Sequence, residues 1–357
     1  MSKKLFLITL VTLIIFSVAF VFSCGENKEE EDPTPAPPPE EEVIDDSSKI
    51  VLAYVTAWST IIPDPDYVTH INYSFGYVNE TFNGIVINNN DFPKSEDRLI
   101  SIVNLKRNKP SLNVILSIGG GTGSAGFSAM ARSESNRKSF AADCKRVIDR
   151  FNLDGVDIDW EHPATDREKE NFTLLMQDIR EAVGNNKFLT FASTADPKYY
   201  DLAKLAEVVN FVNIMMYDVG KPPFHHSALH RSKMVNSISG DEAIDKHLKG
   251  GMPTSKVVLG MPFYGYRKGG DAIAYKNISG TASLANCSEE WDDLAKMPYL
   301  TDANNEVVFV YDNARSIGFK CEYLKELNLR GAMYWEYSQD DSQGTLRKVV
   351  WNGIKIN

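Results

Sequence analysis

Eight short apolar runs, separated by longer amphipathic stretches, constrain the fold of this chain more than any other feature. They are Ile50–Val55, His70–Phe75, Asn113–Ile118, Gly155–Trp160, Phe188–Ala192, Phe211–Met216, Val257–Met261 and Gly331–Trp335. Apolar runs of this length, bounded by turn residues, read as strands buried on both faces, and their alternation with helical stretches is the rhythm of a parallel sheet. The spacing predicts helices over Ser133–Phe151, Asp166–Val183, Asp241–Leu248 and Ala314–Leu327, with Thr165 and Asp166 as cap chemistry for the second and Gly184 as its stop. Eight such units in about 310 residues imply an α/β chain folded as a TIM (β/α)8 barrel.

The first 48 residues do not share this rhythm. Residues 1–24 carry Lys3 and Lys4, an apolar run from Leu5 to Phe22, and then Ser23 and Cys24, the pattern of an export signal. Val21-Phe22-Ser23-Cys24 resembles a bacterial lipobox, which implies lipidation at Cys24; an uncleaved membrane anchor gives almost the same topology. Residues 25–48 hold a proline-rich core between acidic runs, Glu29 to Asp32 and Glu40 to Glu42, and read as an extended, self-repelling tether. That tether has ten acidic residues and one lysine, so most of the net charge of −10 sits there and the body at 49–357 is nearly balanced. No basic patch invites nucleic acid. Acidic residues soon after a lipidated Cys resemble the surface-export signal of Bacteroidetes-type lipoproteins, implying a protein tied by lipid to the outer membrane and facing the exterior; a monomer is expected. The remaining cysteines, Cys144, Cys287 and Cys321, are an odd number and form no full disulfide framework; Cys144 and Cys321, in helical runs, read as buried small hydrophobes.

Chemistry concentrates at Asp154-Gly-Val-Asp157-Ile-Asp159-Trp-Glu161. On a strand, Asp157, Asp159 and Glu161 share one face while Val156, Ile158 and Trp160 share the other. Same-face neighbours lie about 7 Å apart, so three carboxylates crowd one wall and at least one pKa must rise, a route to a proton donor at neutral pH. A solvated strand face is the bland alternative, but Asp is depleted in strands. A metal site is the weaker alternative, because no His or Cys group converges and the 12-residue calcium-loop grammar is missing.

The run resembles the DxxDxDxE signature of family-18 glycoside hydrolases, the chitinase family. That resemblance implies hydrolysis of β-1,4 bonds next to N-acetylglucosamine, in chitin, its oligomers or another GlcNAc-containing glycan, with the sugar's own acetamido oxygen as nucleophile. It implies no metal and no organic cofactor. Glu161 is then the general acid, Asp159 the group that turns to the acetamido N–H, Asp157 its charge-sharing neighbour, and Asp154 a brace at the base of the strand. Other strand ends carry further likenesses. Ser117-Ile-Gly-Gly120 resembles the SxGG element. Met215-Met-Tyr217-Asp218 resembles MxYD, with Tyr217 on the acetamido carbonyl. Trp335 resembles the floor beneath a distorted sugar, and Met261-Pro-Phe-Tyr264-Gly265 resembles GxPFYGR, with Tyr266 intervening before Arg267. Tyr54 and Phe75 resemble aromatic lining residues, although each could equally be barrel core. His162 stands where the family usually has Tyr; it could tune the neighbouring acid or fill the Tyr's space, and the second is expected, since an adjacent strand residue points to the opposite face. Arg267–Val310, polar and rich in Gly and Asn, reads as a reduced insertion on the catalytic face with Trp291 and Tyr299 as anchors, implying a shallower groove. Two rivals carry over from the resemblance: an endo-β-N-acetylglucosaminidase acting on N-glycans, and a non-catalytic lectin on a dead barrel.

Overall fold

The computed structural model describes residues 48–355. The export signal, Cys24 and the tether up to residue 47 lie outside those residues. All eight anticipated strands form, here labelled β1 Ile50–Thr56, β2 His70–Val78, β3 Asn113–Gly119, β4 Gly155–Asp159, β5 Phe188–Thr194, β6 Phe211–Met215, β7 Val257–Pro262 and β8 Gly331–Trp335. Each pairs in parallel with the next, and β8 pairs with β1 through Ile50–Gly331 to Ala53–Tyr334, so the sheet closes into a barrel. Closure removes both sheet edges.

Period-two alternation divides each strand between two cores. Ile50, Leu52 and Tyr54 point into the barrel with Ile115, Phe188, Phe211, Val258 and Met333. Val51, Ala53 and Val55 point outward, into the shell shared with the helices. That shell is held by helices Glu134–Phe151 and Asp166–Val183, which pack against each other, and by Gly240–Lys249, Ala314–Glu326 and Thr345–Ile354. Fully burying each larger apolar side chain is worth about 1.5–3 kcal/mol, so this double core is the main stabilising term.

The caps follow from local chemistry. Thr165 accepts from the Glu168 N–H, and Gly184 ends that helix with φ of 74°. Ser133 caps Glu134–Phe151, which ends at Asn152 in the left-handed region, where Asn is tolerated. Four helices escaped the apolar pattern: Ser95–Val103, Phe127–Ala131, Leu202–Val208 and Thr345–Ile354. Each is short, so few turns of periodicity are available to reveal it.

The insertion is more ordered than its polar composition implies. Tyr264–Arg267, Ala272–Ala274, Ser288–Asp292, Met297–Thr301 and Val307–Tyr311 form an antiparallel five-stranded sheet with Leu284, Leu300, Phe309 and Tyr311 as its own small core. It therefore begins at Tyr264, inside the segment expected to be strand-seven exit. The two anticipated anchors do reach outward from it. Trp291 lies under the Arg315 guanidinium at 3.7 Å and beside Phe319, both on helix Ala314–Glu326, and Tyr299 meets the His225 ring. Cys144 and Cys321 are buried and unbridged.

A buried ion pair fastens the end of this sheet to the barrel. Lys320 Nζ lies 2.8 and 2.7 Å from the two carboxylate oxygens of Asp312, which also accept from Ser227 and Ser316. Burial holds the Lys320 pKa below its usual value, against the pull of Asp312. Removing one partner of such a pair strands the other charge, so Lys320→Met is expected to cost about 3–5 kcal/mol. Urea unfolding followed by tryptophan fluorescence measures it, and Lys320→Met with Asp312→Leu should recover much of the loss.

Candidate active site

Asp157 sits at the centre of the barrel interior with no exposure to solvent. Register puts Ser117 of β3 and Thr190 of β5 directly beside it. Its Oδ2 accepts from Tyr54 Oη at 2.9 Å and Ser117 Oγ at 2.8 Å; its Oδ1 accepts from Thr190 Oγ1 at 2.5 Å and Asn213 Nδ2 at 3.3 Å. Burial pushes its carboxyl pKa up, and these four donors, from four strands, pull it part of the way back.

One step up the strand, Asp159 is 3% exposed, and its Oδ1 has no hydrogen-bond partner among the described residues. Burial, then the charges of Glu161 and Asp157, hold its pKa well above the carboxylate range. Glu161, past the end of β4, is reachable from solvent at the floor of the cleft. Its pKa is raised, first by burial among protein groups and then by the Asp218 charge. Two acids this close share one proton more readily than they hold two charges.

The turn after β3 locks this exit in place. Gly119 and Gly120 have φ of 117° and 79°, and the Gly120 N–H donates to the Asp159 carbonyl at 2.8 Å. A Cβ on Gly119 would lie 2.1 Å from that carbonyl oxygen, which makes glycine obligatory there. Ser124 Oγ accepts from the Glu161 N–H at 2.8 Å and lies within hydrogen-bond distance of the Gly120 and Asp159 carbonyls. Nothing in the sequence singled Ser124 out.

The cleft above encloses about 730 Å³. Its walls include Gly120, Asp159, Glu161, Met215, Tyr217, Asp218, Tyr264, Phe75 and Trp335. Phe75 stacks on Trp335 with ring centres 5.7 Å apart and planes 19° from parallel. A register shift between Ser74 and Gly76 turns Phe75 toward the cleft, the usual effect of a bulge. Trp58, 48% exposed, and Phe92 extend this aromatic floor; neither was anticipated, since Trp58 lies just past β1 and Phe92 in an irregular segment. Tyr217 is buried, and among the described residues its hydroxyl has only a distant sulfur contact with Met333 at 4.0 Å.

Two anticipated residues, Tyr54 and His162, stand elsewhere than expected. Tyr54 does not line the cleft; it packs under Trp335 and spends its hydroxyl on Asp157. Ser117, read as a structural residue of the site, is a buried partner of Asp157. Asp154 is at the opposite end of β4 from Glu161, where it accepts from Lys106 at 2.7 Å and from the Val114 N–H at 2.7 Å. It braces the base of the strand but belongs to no site. His162 does not pack on the opposite strand face either: β4 ends at Asp159, the alternation ends with it, and His162 is exposed at the cleft wall. Trp160 does face away, stacked on Phe127 at 5.6 Å.

Asp218 has φ of 61°, a conformation Asp tolerates better than most residues. Burial pushes its pKa up, but the His226 ring and the hydroxyls of Tyr264 and Tyr266 outweigh burial and hold it below the ordinary range. Among the described residues no three His, Cys, Asp or Glu side chains converge as a metal site.

An acid pair on one wall of a barrel mouth, set over an aromatic floor, is the constellation of a carbohydrate-cleaving (β/α)8 barrel. The sequence matches Glycosyl hydrolases family 18 over residues 50–340, and the chain belongs to that family. Chitinase A1 of Niallia circulans is 33% identical over 300 residues, covering 69% of this chain and 43% of that protein. Endochitinase 1 of Metarhizium robertsii is 32% identical over 269 residues, covering 66% of this chain and 63% of that protein. The match thus spans less than two thirds of either relative. Among solved structures, a family-18 N-acetylglucosaminidase from Paenibacillus barengoltzii superposes with a TM-score of 0.76 at 28% identity, covering 86% of this chain and all of that one. A cell-surface-expressed multi-modular chitinase of Paenibacillus gives 0.79 at 27% identity, covering 87% of this chain and 43% of that one.

Gly120 offers a direct test of the floor. A Cβ there would meet the Phe75 ring at 2.6 Å, in a backbone conformation L-residues avoid. Gly120→Ala should therefore lower stability by about 1–2 kcal/mol and displace Phe75 from Trp335. Thermal denaturation measures the first effect, and altered tryptophan emission of the folded variant the second.

Proposed function

We propose that this chain is a chitinase-type glycosidase that cleaves β-1,4 linkages next to N-acetylglucosamine in chitin or its oligomers. The observation that carries the reading is Asp159, buried, pushed toward its neutral form and left with an unpaired carboxylate oxygen directly below Glu161. Glu161 holds a proton beyond the usual carboxylate range and gives it to the glycosidic oxygen as the C–O bond breaks. The electron pair filling the anomeric carbon comes from the acetamido carbonyl oxygen of the same sugar, forming a cyclic oxazolinium ion. Asp159 turns its free oxygen to the acetamido N–H, which acidifies as that ion forms, and Tyr217 donates to the acetamido carbonyl and holds it in line. Water, deprotonated by the Glu161 carboxylate, then opens the ring with retention. Trp335 meets the apolar face of the sugar.

The named relatives are chitinases and an N-acetylglucosaminidase. Neither an N-glycan-cutting enzyme nor a dead lectin is favoured by them, and Glu161, Asp159 and Tyr217 all reach the cleft. We further propose that lipid at Cys24 ties the protein to the outer membrane, with the acidic tether holding the barrel outward. Support for this is the leader pattern of the sequence alone. Among the described residues no helix is long and apolar enough to cross a membrane.

Glu161→Gln keeps the shape and removes the titratable proton, so kcat on chito-oligosaccharides should fall by about 100-fold or more while binding survives. Near-normal turnover of Glu161→Gln on a substrate with a poor leaving group removes Glu161 from the role. Substrate assistance adds a sharper outcome. Fully deacetylated chitosan should resist the wild-type enzyme, and a thiazoline analogue of the oxazolinium should inhibit it; efficient cleavage of chitosan rules the mechanism out. For the anchor, Cys24→Ala should move active protein from the membrane to the soluble fraction, and unchanged fractionation defeats it.

A further inference from the structure

Three consecutive residues in the long connection after β6 each hold something different. His225 Nε2 lies 3.2 Å from Asp292 of the insertion sheet, and Ser232 holds the same carboxylate at 2.6 Å. Ser227 donates to Asp312, the buried partner of Lys320. Between them His226 is fully buried, with Nδ1 3.8 Å from Oδ1 of Asp218 and neither ring nitrogen within hydrogen-bond distance of a partner among the described residues. Its ring packs against Tyr264 at 5.4 Å and against Tyr266 at 5.3 Å. The placement is rigid, because the residues on both sides are pinned.

A buried imidazole with two unspent nitrogens is costly unless one of them serves a neighbour. Among the described residues, the carboxylate that approaches it is Asp218. Arg267, the base next to Tyr266 in sequence, is spent elsewhere: its guanidinium lies 2.9 Å from Asp271 at the surface. Lys221 sits over the Tyr266 ring at 4.6 Å. The groups facing His226 are thus Asp218 and His225 from its own connection, and Tyr264 and Tyr266 from the strand that opens the insertion, with Lys221 over the Tyr266 ring. Asp218 in turn faces Glu161 across the cleft.

We propose that His226 is a positioning residue for the hydrolysis, an imidazole that keeps the Asp218 carboxylate ionised and aimed at Glu161. The proposal rests on the reading of Glu161 as general acid. Through the 225–227 strap it also makes the insertion sheet a support for the catalytic carboxylates: Asp292 fixes His225, the chain fixes His226, and His226 fixes Asp218.

The sign is settled by which forms are needed. On this proposal hydrolysis uses Asp218 ionised, its charge raising Glu161, and Glu161 protonated, so Asp218 sets the acidic limb of kcat/KM and Glu161 the alkaline limb. Removing the partner that favours ionised Asp218 raises its pKa, and the acidic limb moves to higher pH. The test is kcat/KM against pH on chitotetraose for the full chain and three variants. His226→Leu should move the acidic limb up by about half a unit to one unit and lower kcat about 10-fold with little change in KM. His226→Asn, whose amide can place a donor where Nδ1 stands, should return the limb toward wild type. His226→Gln, whose amide falls nearer Nε2, should behave as Leu does and stands in for it if His226→Leu does not fold. A lower melting temperature or kcat in His226→Leu and His226→Gln with an unmoved acidic limb overturns the proposal and leaves His226 a packing residue. A wild-type chain that leaves chitotetraose intact at every pH defeats the chitinase reading itself, and this inference with it.

Discussion

A carboxylate with no access to water, held by four donors from four strands, is the constraint on which the rest of this structure depends. A charge buried alone in an apolar interior is prohibitively expensive, so Asp157 is possible only because Tyr54, Ser117, Thr190 and Asn213 converge on it. That demand specifies the barrel. The four donors come from β1, β3, β5 and β6, and only a closed parallel sheet brings those strands round one point. The polar layer they make separates the apolar floor of Leu52, Ile115 and Phe211 from the cleft above. It also fixes the electrostatics one step up: with its oxygens already engaged, Asp157 stays where it is, and its charge helps push the proton onto the Asp159–Glu161 pair.

Much of this was legible because strands report themselves twice. Apolar runs gave their number and order, and the alternation in Asp157, Asp159 and Glu161 gave their inward face. The same alternation misled where strand geometry stops. His162 was placed on the far face by a period-two argument, but β4 ends at Asp159, and beyond it the turn held by Ser124 decides direction. Tyr54 illustrates another limit. An aromatic on the inner face of a strand reads as cleft wall or as core, and only depth along the barrel separates them; it lies one layer below the opening. Asp154 shares the acidic motif but sits at the other end of the strand, since a strand's two ends open on opposite faces of the barrel.

What the sequence hid are groups whose meaning is purely spatial. Trp58, Phe92 and His226 lie in irregular segments and Ser124 in a short 3-10 helix, where no periodicity marks a face. The insertion was hidden for a related reason: its strands are short, and its small core rests on Leu284, Leu300, Phe309 and Tyr311 scattered through a polar stretch. Such a sheet folds because it is clamped to a larger body. Asp312 and Lys320 hold one end, and the stack of Arg315 on Trp291 holds the edge.

The two sides of the cleft therefore have different tasks. On the β4 wall, burial and like charge raise the pKa values of Asp159 and Glu161, which favours a held proton. On the β6 wall, Tyr264, Tyr266 and His226 lower that of Asp218, which favours a held charge. Each arrangement strengthens the other, because an ionised Asp218 raises Glu161 further. Pushing two neighbouring acids apart in this way is how one site keeps both a proton donor and a fixed negative charge at the same pH. The barrel supplies the first half through Asp157. The second half depends on residues delivered by the insertion and by the connection pinned to it, so the inserted sheet is tied to the acid chemistry as well as to the shape of the groove.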